Sequence, residues 1–213
     1  MLSAEDCVGC RGLWRTWPYL KARPLGLGSS NLSKLHNAKA REIQRALIAL
    51  GKKLDEGDDS ELLVWVIPQT LACAHRPLRR HPQYGGAQRD LPAEAAPLVL
   101  AWVRRMKAEG IRSVVCLIGD RELRHYLLSD VGASDLIELY RKEGLDVWRV
   151  HWEDPAHPAV STGPSYEEQL LETRAEALKA FDQLPKPVLL HCSSGIQRSS
   201  PVAAFIFSQR STK

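Results

Sequence analysis

Twice in this chain a helix-like stretch runs into a glycine, and an apolar strand starts directly after it. The first case is "EGIRSVV" around Gly110 and the second is "EGLDVWRV" around Gly144. This punctuation constrains the fold more than any other feature. A helix that stops at glycine and hands over to a β-branched run is the repeating unit of a layered α/β protein. Residues 92 to 109, "PAEAAPLVLAWVRRMKAE", read as the helix before Gly110, with Pro97 either bending it or marking its true start. "ASDLIELYRKE" reads as the helix before Gly144. "IRSVVCLI" and "LDVWRV" are the strands that follow.

The same grammar extends in both directions. "ELLVWVIP" is a short apolar run closed by Pro68 and reads as a strand, followed by a loop, "HRPLRRHPQYGG". Residues 166 to 184 carry a helical pattern with Leu170, Leu171, Leu178 and Phe181 assigned to one face. Ser165 and Glu168 have the spacing of a capping box, and Pro185 and Pro187 end the helix. "VLL" is then a strand, and "SSPVAAFIFSQR" after Arg198 can start a helix. Strands alternating with helices predict an α/β fold: a central, mostly parallel sheet flanked by helices. In such sheets the ligand site lies beyond the carboxyl ends of the strands.

Residues 1 to 60 differ from the rest and read as an amino-terminal extension with one helix, "NLSKLHNAKAREIQRALIALGKKL". Leu35, Ile43, Leu47 and Leu50 recur there at helical spacing. The acidic run "DEGDDSE" closes it, and residues 61 to 213 are expected to form the main domain. Cys7 and Cys10 have the spacing of half a zinc site, but no second cysteine pair completes it, so no metal and no cofactor is expected. The five cysteines show no even framework of short spacings. A reducing, cytoplasmic setting with free thiols is the expectation. No apolar run approaches the ~20 residues of a membrane span, and the amino terminus does not read as a secretory signal. The net charge of +4 suits an anionic substrate, but scattered surface Lys and Arg account for it better. Nothing points to nucleic acid, and nothing fixes an oligomeric state.

The chemistry concentrates in "VLLHCSSGIQRSS", residues 188 to 200. A strand–loop–helix junction gathers backbone N–H groups into a concavity, and the helix dipole adds partial positive charge. Such a nest holds a tetrahedral oxyanion. The same field favours the thiolate of Cys192. Arg198 offers a planar fork that matches two phosphate oxygens and cannot lose its proton. Gly195 permits a conformation or a close approach that a side chain would obstruct. A thiolate beneath a bound phosphate is set to form a thiophosphate intermediate. Ser199 can hydrogen-bond that thiolate and help it leave.

His191-Cys192-Ser193-Ser194-Gly195-Ile196-Gln197-Arg198-Ser199 resembles the H-C-x5-R-[ST] signature of the cysteine-dependent protein tyrosine phosphatases. The glycine at the third position after the cysteine looks most like the dual-specificity branch. The resemblance covers residues 61 to about 210. It implies hydrolysis of phosphotyrosine, and of phosphoserine or phosphothreonine in the dual-specificity reading, through a cysteinyl-phosphate. It also implies that residues 193 to 198 bind the phosphate, that His191 supports the loop, and that a phosphorylated protein or another phosphomonoester is the substrate. Ser193, Ser194, Ile196 and Gln197 are uncharged, which argues for protein substrates over phosphoinositides.

A leaving alkoxide or phenolate needs a proton, so an acid must reach it. Asp154 in "VHWEDPAHP" is the first candidate, with adjacent Glu153 and Asp120 in "LIGDREL" as alternatives. His75, Arg76, Arg79, Arg80 and His81 form a basic loop that either rims the site or is simply solvated. Cys116, Trp102 and Trp148 read as packing residues. Two departures stand out: Ser200 and Pro201 replace the usual glycine, and the chain ends soon after Arg198, where the family carries further helices. Three explanations are open: a minimal domain, a truncated chain, or the helix at 33 to 54 covering that face. Two other functions compete, a phosphate-binding module without turnover and a cysteine-based sulfur-transfer or arsenate-reducing enzyme.

Overall fold

A computed structural model describes residues 31–86, 90–155 and 164–211. All of these lie in the compact unit Asn31–Lys213. The readings made on Cys7 and Cys10 fall outside the described residues, as does the side chain of Leu35. Among the described residues, five strands and six α-helices follow in the order α1 (Asn31–Asp55), β1 (Val64–Ile67), β2 (Leu71–Ala74), α2 (Ala96–Ala108), β3 (Ser113–Cys116), α3 (Asp120–Leu123), α4 (Leu136–Lys142), β4 (Asp146–Arg149), α5 (Tyr166–Gln183), β5 (Val188–His191) and α6 (Ser199–Arg210). Among the described residues no helix is long and apolar enough to cross a membrane.

The strands form one sheet in the order β1-β2-β5-β3-β4. β1 is antiparallel to β2, and every other pair is parallel. The mostly parallel α/β sheet flanked by helices is therefore present. β2, β3 and β5 are buried along their whole length, as interior strands of a parallel sheet must be. β2, "LACA", has no β-branched residue and carries no strand signal of its own. Its place between β1 and β5 makes it a strand, because burial on both faces outweighs weak propensity.

The register decides where a site can form. His191, the last residue of β5, lies opposite Ala74 at the end of β2 and Cys116 at the end of β3, and Cys116 lies opposite Arg149 at the end of β4. Four carboxyl ends are thus level, and four loops leave the sheet at one edge.

The helices carry out most of what their sequences announce. Pro97 falls in the first turn of α2, behind a short 3-10 turn at Ala93–Ala95, so it marks the helix start. Ser165 and Glu168 form the capping box of α5 reciprocally. The assigned face of α5 is corrected at one position: Phe181 is buried and Leu170 and Leu178 pack against the core, whereas Leu171 is 41% exposed, and Thr173, Ala177 and Ala180 complete the buried face. Two alanines let α5 approach its neighbours closely, a role that a count of large apolar residues does not register.

α6 touches both α1 and α5 as well as β1, β2 and β5. That surround explains why it is buried on nearly every side, from Ser199 to Ile206. α1 places Ile43, Leu47 and Leu50 in the same core as the sheet. The helix expected at 33 to 54 thus packs directly on α6.

Candidate active site

The loop between β5 and α6 occupies the edge where the four carboxyl ends meet. Cys192 follows the last residue of β5 and is 1% exposed. Its Sγ accepts a hydrogen bond from the Gly195 amide at 3.2 Å. Among the described residues, the amides of Ser193, Ser194, Ile196 and Gln197 donate to no carbonyl or side chain. The loop carbonyls, by contrast, are used as fasteners. Ser193 O accepts from the Arg76 amide at 2.9 Å, and Gly195 O accepts from the amide and hydroxyl of Ser200 at 3.1 and 2.8 Å. Ser200, where the family pattern has glycine, therefore ties the loop to the first turn of α6. With the carbonyls fixed outward in this way, the free donors are amides, the arrangement of an anion nest.

Gly195 has φ +72°, in the left-handed region. A Cβ there would stand 2.9 Å from Leu47 Cδ1 and 3.1 Å from Ala74 O. The glycine is required both by its backbone and by α1, which lies immediately behind the loop. Gln44 of α1 also reaches Ile196 O at 3.4 Å.

Arg198 is 2% exposed and is held by Glu122, a residue that nothing in the sequence singled out as part of the site. Nη1 donates to Glu122 Oε2 at 2.6 Å and Nη2 to Oε1 at 2.7 Å. Nη1 also reaches Leu117 O at 3.0 Å and Trp152 O at 2.6 Å. A guanidinium has five N–H donors. The Nη1 pair and one Nη2 hydrogen are taken, so the Nε–H and the second Nη2 hydrogen remain on one edge. That edge is the fork available to an anion. Burial pushes the Glu122 carboxyl up, but the bonded Arg198 guanidinium outweighs it, and the carboxyl is held below its ordinary value. Burial opposes the charge on Arg198, yet Cys192, Glu122 and Asp154 together hold its pKa above the ordinary guanidinium value. Glu122 sits in α3, two residues beyond Asp120. Its sequence signal was slight: an acidic residue just past a buried strand, on the edge where sites form.

His191 is fully buried. Its Nε2 lies 3.0 Å from Tyr140 Oη, and its Nδ1 lies 3.2 Å from Cys192 O. Burial pulls its pKa down to about 4, so the ring is neutral at pH 7. Trp102 and Tyr140 meet it edge-on. Ser199 Oγ is buried and has no hydrogen-bond partner, so in this structure it is not joined to Cys192 Sγ. Tyr166 at the start of α5 donates to Gln197 O at 2.7 Å and closes the loop on its outer side.

The three carboxylates weighed as acids separate clearly. Asp120 forms an ion pair with Arg149 at 2.5 Å. Glu153 Oε1 accepts from the amides of Asp120 and Arg121, at 2.9 and 3.4 Å, and so caps α3. Asp154 is half-buried and is an electrostatic neighbour of both Arg198 and Arg79. Trp152 O, bonded to Arg198, anchors the backbone two residues before it. Asp120, His151 and Glu153 also lie close enough together to face a common ion, but these contacts already occupy the two carboxylates.

No model of a known protein family matches the chain, and no curated protein matches it. Among solved structures it is similar to one described as the crystal structure of Tk-PTP in the active form. The identity is 22%, the match covers 71% of this chain and 76% of the other, and the TM-score is 0.40.

Of the remaining residues singled out in the sequence, Cys116 and Trp102 are buried in the core, whereas Trp148 is half-buried with its indole N–H on Glu176. The basic loop is ordered around the site: His75 Nε2 lies 3.0 Å from Leu47 O of α1, and Arg76 Nε lies 3.4 Å from Ser193 Oγ.

Proposed function

We propose that this chain is a protein phosphatase that hydrolyses phosphotyrosine, with phosphoserine and phosphothreonine as the wider dual-specificity range, through a cysteinyl-phosphate. One observation carries the reading. Cys192 Sγ sits at the base of a loop with unpaired amides, and Arg198 is clamped by Glu122 so that only its Nε/Nη2 edge is left to an anion. The three described cysteines are free thiols, which fits the reducing, cytoplasmic setting expected.

In this mechanism the phosphate oxygens lie on the loop amides and on the free edge of Arg198. The Cys192 thiolate attacks phosphorus, forming the S–P bond as the P–O ester bond breaks. The bonding pair leaves on the ester oxygen, which takes the proton of Asp154. Water then attacks phosphorus and gives a proton to Asp154. The S–P bond breaks, its electron pair returns to sulfur, and inorganic phosphate departs. Ser199, whose hydroxyl has no other partner, donates to the departing thiolate. His191 positions the loop through Cys192 O and does not transfer protons.

Phosphate release from nitrophenyl phosphate and phosphotyrosine peptides tests this. Cys192→Ser is expected to abolish release while retaining vanadate binding, because the amides and Arg198 bind and only sulfur attacks. Serine-variant turnover near the parental rate would end the covalent reading. Phosphate release by neither protein would end the phosphatase reading itself.

A further inference from the structure

The acid assigned above follows a segment that is pinned at two successive residues. Trp152 O accepts from Arg198 Nη1 at 2.6 Å. Glu153 Oε1 accepts from the amides of Asp120 and Arg121, at 2.9 and 3.4 Å, in the first turn of α3. Asp154 comes next, and Pro155 after it restricts the Asp154 backbone to extended conformations.

The element that holds Glu153 also holds Arg198. Glu122 of α3 bonds Arg198 through both carboxylate oxygens, at 2.6 and 2.7 Å, and its Oε2 accepts from the Gly119 amide at 3.3 Å. Two carboxylates thus satisfy three successive amides, Gly119, Asp120 and Arg121, of the kind a helix start leaves unpaired. One of these carboxylates fixes the guanidinium, and the other fixes the residue before Asp154. Gly119 leaves the room for this contact. Its φ of −80° is open to any residue, so the backbone does not call for glycine. A Cβ at Gly119 would stand 2.6 Å from Glu153 Oε1 and closer still to the rest of the carboxyl group.

We propose that Glu153 is a positioning residue, which latches the acid loop to α3 and so sets where Asp154 stands relative to an anion on Arg198. This rests on the phosphatase reading above, with Asp154 as its acid.

The test, on the full chain, is the ratio of kcat for an alkyl phosphate to kcat for nitrophenyl phosphate, because only the alkyl ester needs the proton. Glu153→Ala is expected to lower that ratio about tenfold or more, since a reacting group displaced by about 1 Å loses much of its effect. Glu153→Gln keeps a carbonyl oxygen for the two amides and should retain most of the parental ratio. Gly119→Ala, which displaces the carboxylate, should lower the ratio as Glu153→Ala does, and the double variant should lower it no further. The ratio is read within one protein, so a loss of folded protein does not move it. A parental ratio in Glu153→Ala, or additive losses in the double variant, overturns the latch. Equal losses in Glu153→Ala and Glu153→Gln also overturn it, because Glu153 would then be the acid itself. A parental ratio in Asp154→Asn removes the acid assignment and the latch with it. If neither ester is hydrolysed, the phosphatase reading fails and hydrogen exchange judges the latch. Faster exchange of the Asp120 and Arg121 amides and of residues 152 to 154 in Glu153→Ala than in Glu153→Gln sustains it, and equal exchange overturns it.

Discussion

Glu122 has no solvent to turn to, and neither has Arg198; the two are 4% and 2% exposed and bonded through both carboxylate oxygens. Removing one charge from such a pair leaves the other buried and uncompensated, at a cost of about 3–5 kcal/mol. Glu122→Gln keeps the shape and loses the charge. It is expected to lower the unfolding free energy, read from denaturant melts, by an amount in that range and to weaken vanadate binding, since Arg198 is no longer held on its Nη edge. Parental stability and binding in this variant would mean that the carboxylate orients nothing. Asp154→Asn belongs to the same scale. A general acid must be protonated when the ester oxygen leaves, so the basic limb of the rate–pH profile should flatten in the variant. The kcat should fall by on the order of 10² to 10⁴ for an alkyl phosphate, and far less for nitrophenyl phosphate, whose oxyanion needs no proton. A retained basic limb would assign Asp154 to the turn before Pro155 alone.

At the scale of elements, α1 backs the loop. Leu47 is fully buried, its Cδ1 faces Gly195, and its carbonyl lies against His75. Leu47→Ala is expected to cost about 2–5 kcal/mol as a cavity mutation. It should also slow turnover, because the space left is directly behind the Gly195 turn. Gly195→Ala meets a different obstacle. Its φ of +72° and the Ala74 carbonyl at 3.1 Å stay in place whatever Leu47 becomes. Pairing it with Leu47→Ala should therefore recover only part of the vanadate affinity lost by Gly195→Ala alone. Full recovery would show that the side-chain clash, and not the backbone, sets the requirement for glycine.

For the whole molecule, two neutral imidazoles link stability to pH. Burial pulls both His75 and His191 down to about 4 from an unfolded value of 6.5. Between those values the unfolded chain binds protons that the folded chain does not, so stability rises with pH across that window and is complete above it. From pH 7 down to pH 4 the loss is expected to be on the order of 3 kcal/mol for each ring. Urea midpoints across that range check it, and His191→Gln should flatten the slope by about half. An identical slope in the variant would show that other groups carry the acid sensitivity.

The sequence alone determined the alternation of strands and helices, because glycine stops, a capping box and β-branched runs are local signals that need no partner. Ser165 with Glu168, Pro97 in the first turn of α2 and the strands after Gly110 and Gly144 all belong to this class. The Cys192–Arg198 loop was legible for the same reason, since its residues are contiguous and their chemistry is carried by their spacing. What only the tertiary structure decided are relations between distant segments. Nothing within "LACA" marks it as a strand until β5 lies beside it. Nothing near Glu122 distinguishes it from Asp120 until Arg198 arrives from the far end of the chain. Leu171 and Ala177 exchange places as core residues once α6 fixes which face of α5 is covered. The position of Leu47 behind Gly195 is of the same kind. Burial and pairing are properties of what comes to surround a residue, and that surrounding is fixed by the level carboxyl ends of four parallel strands.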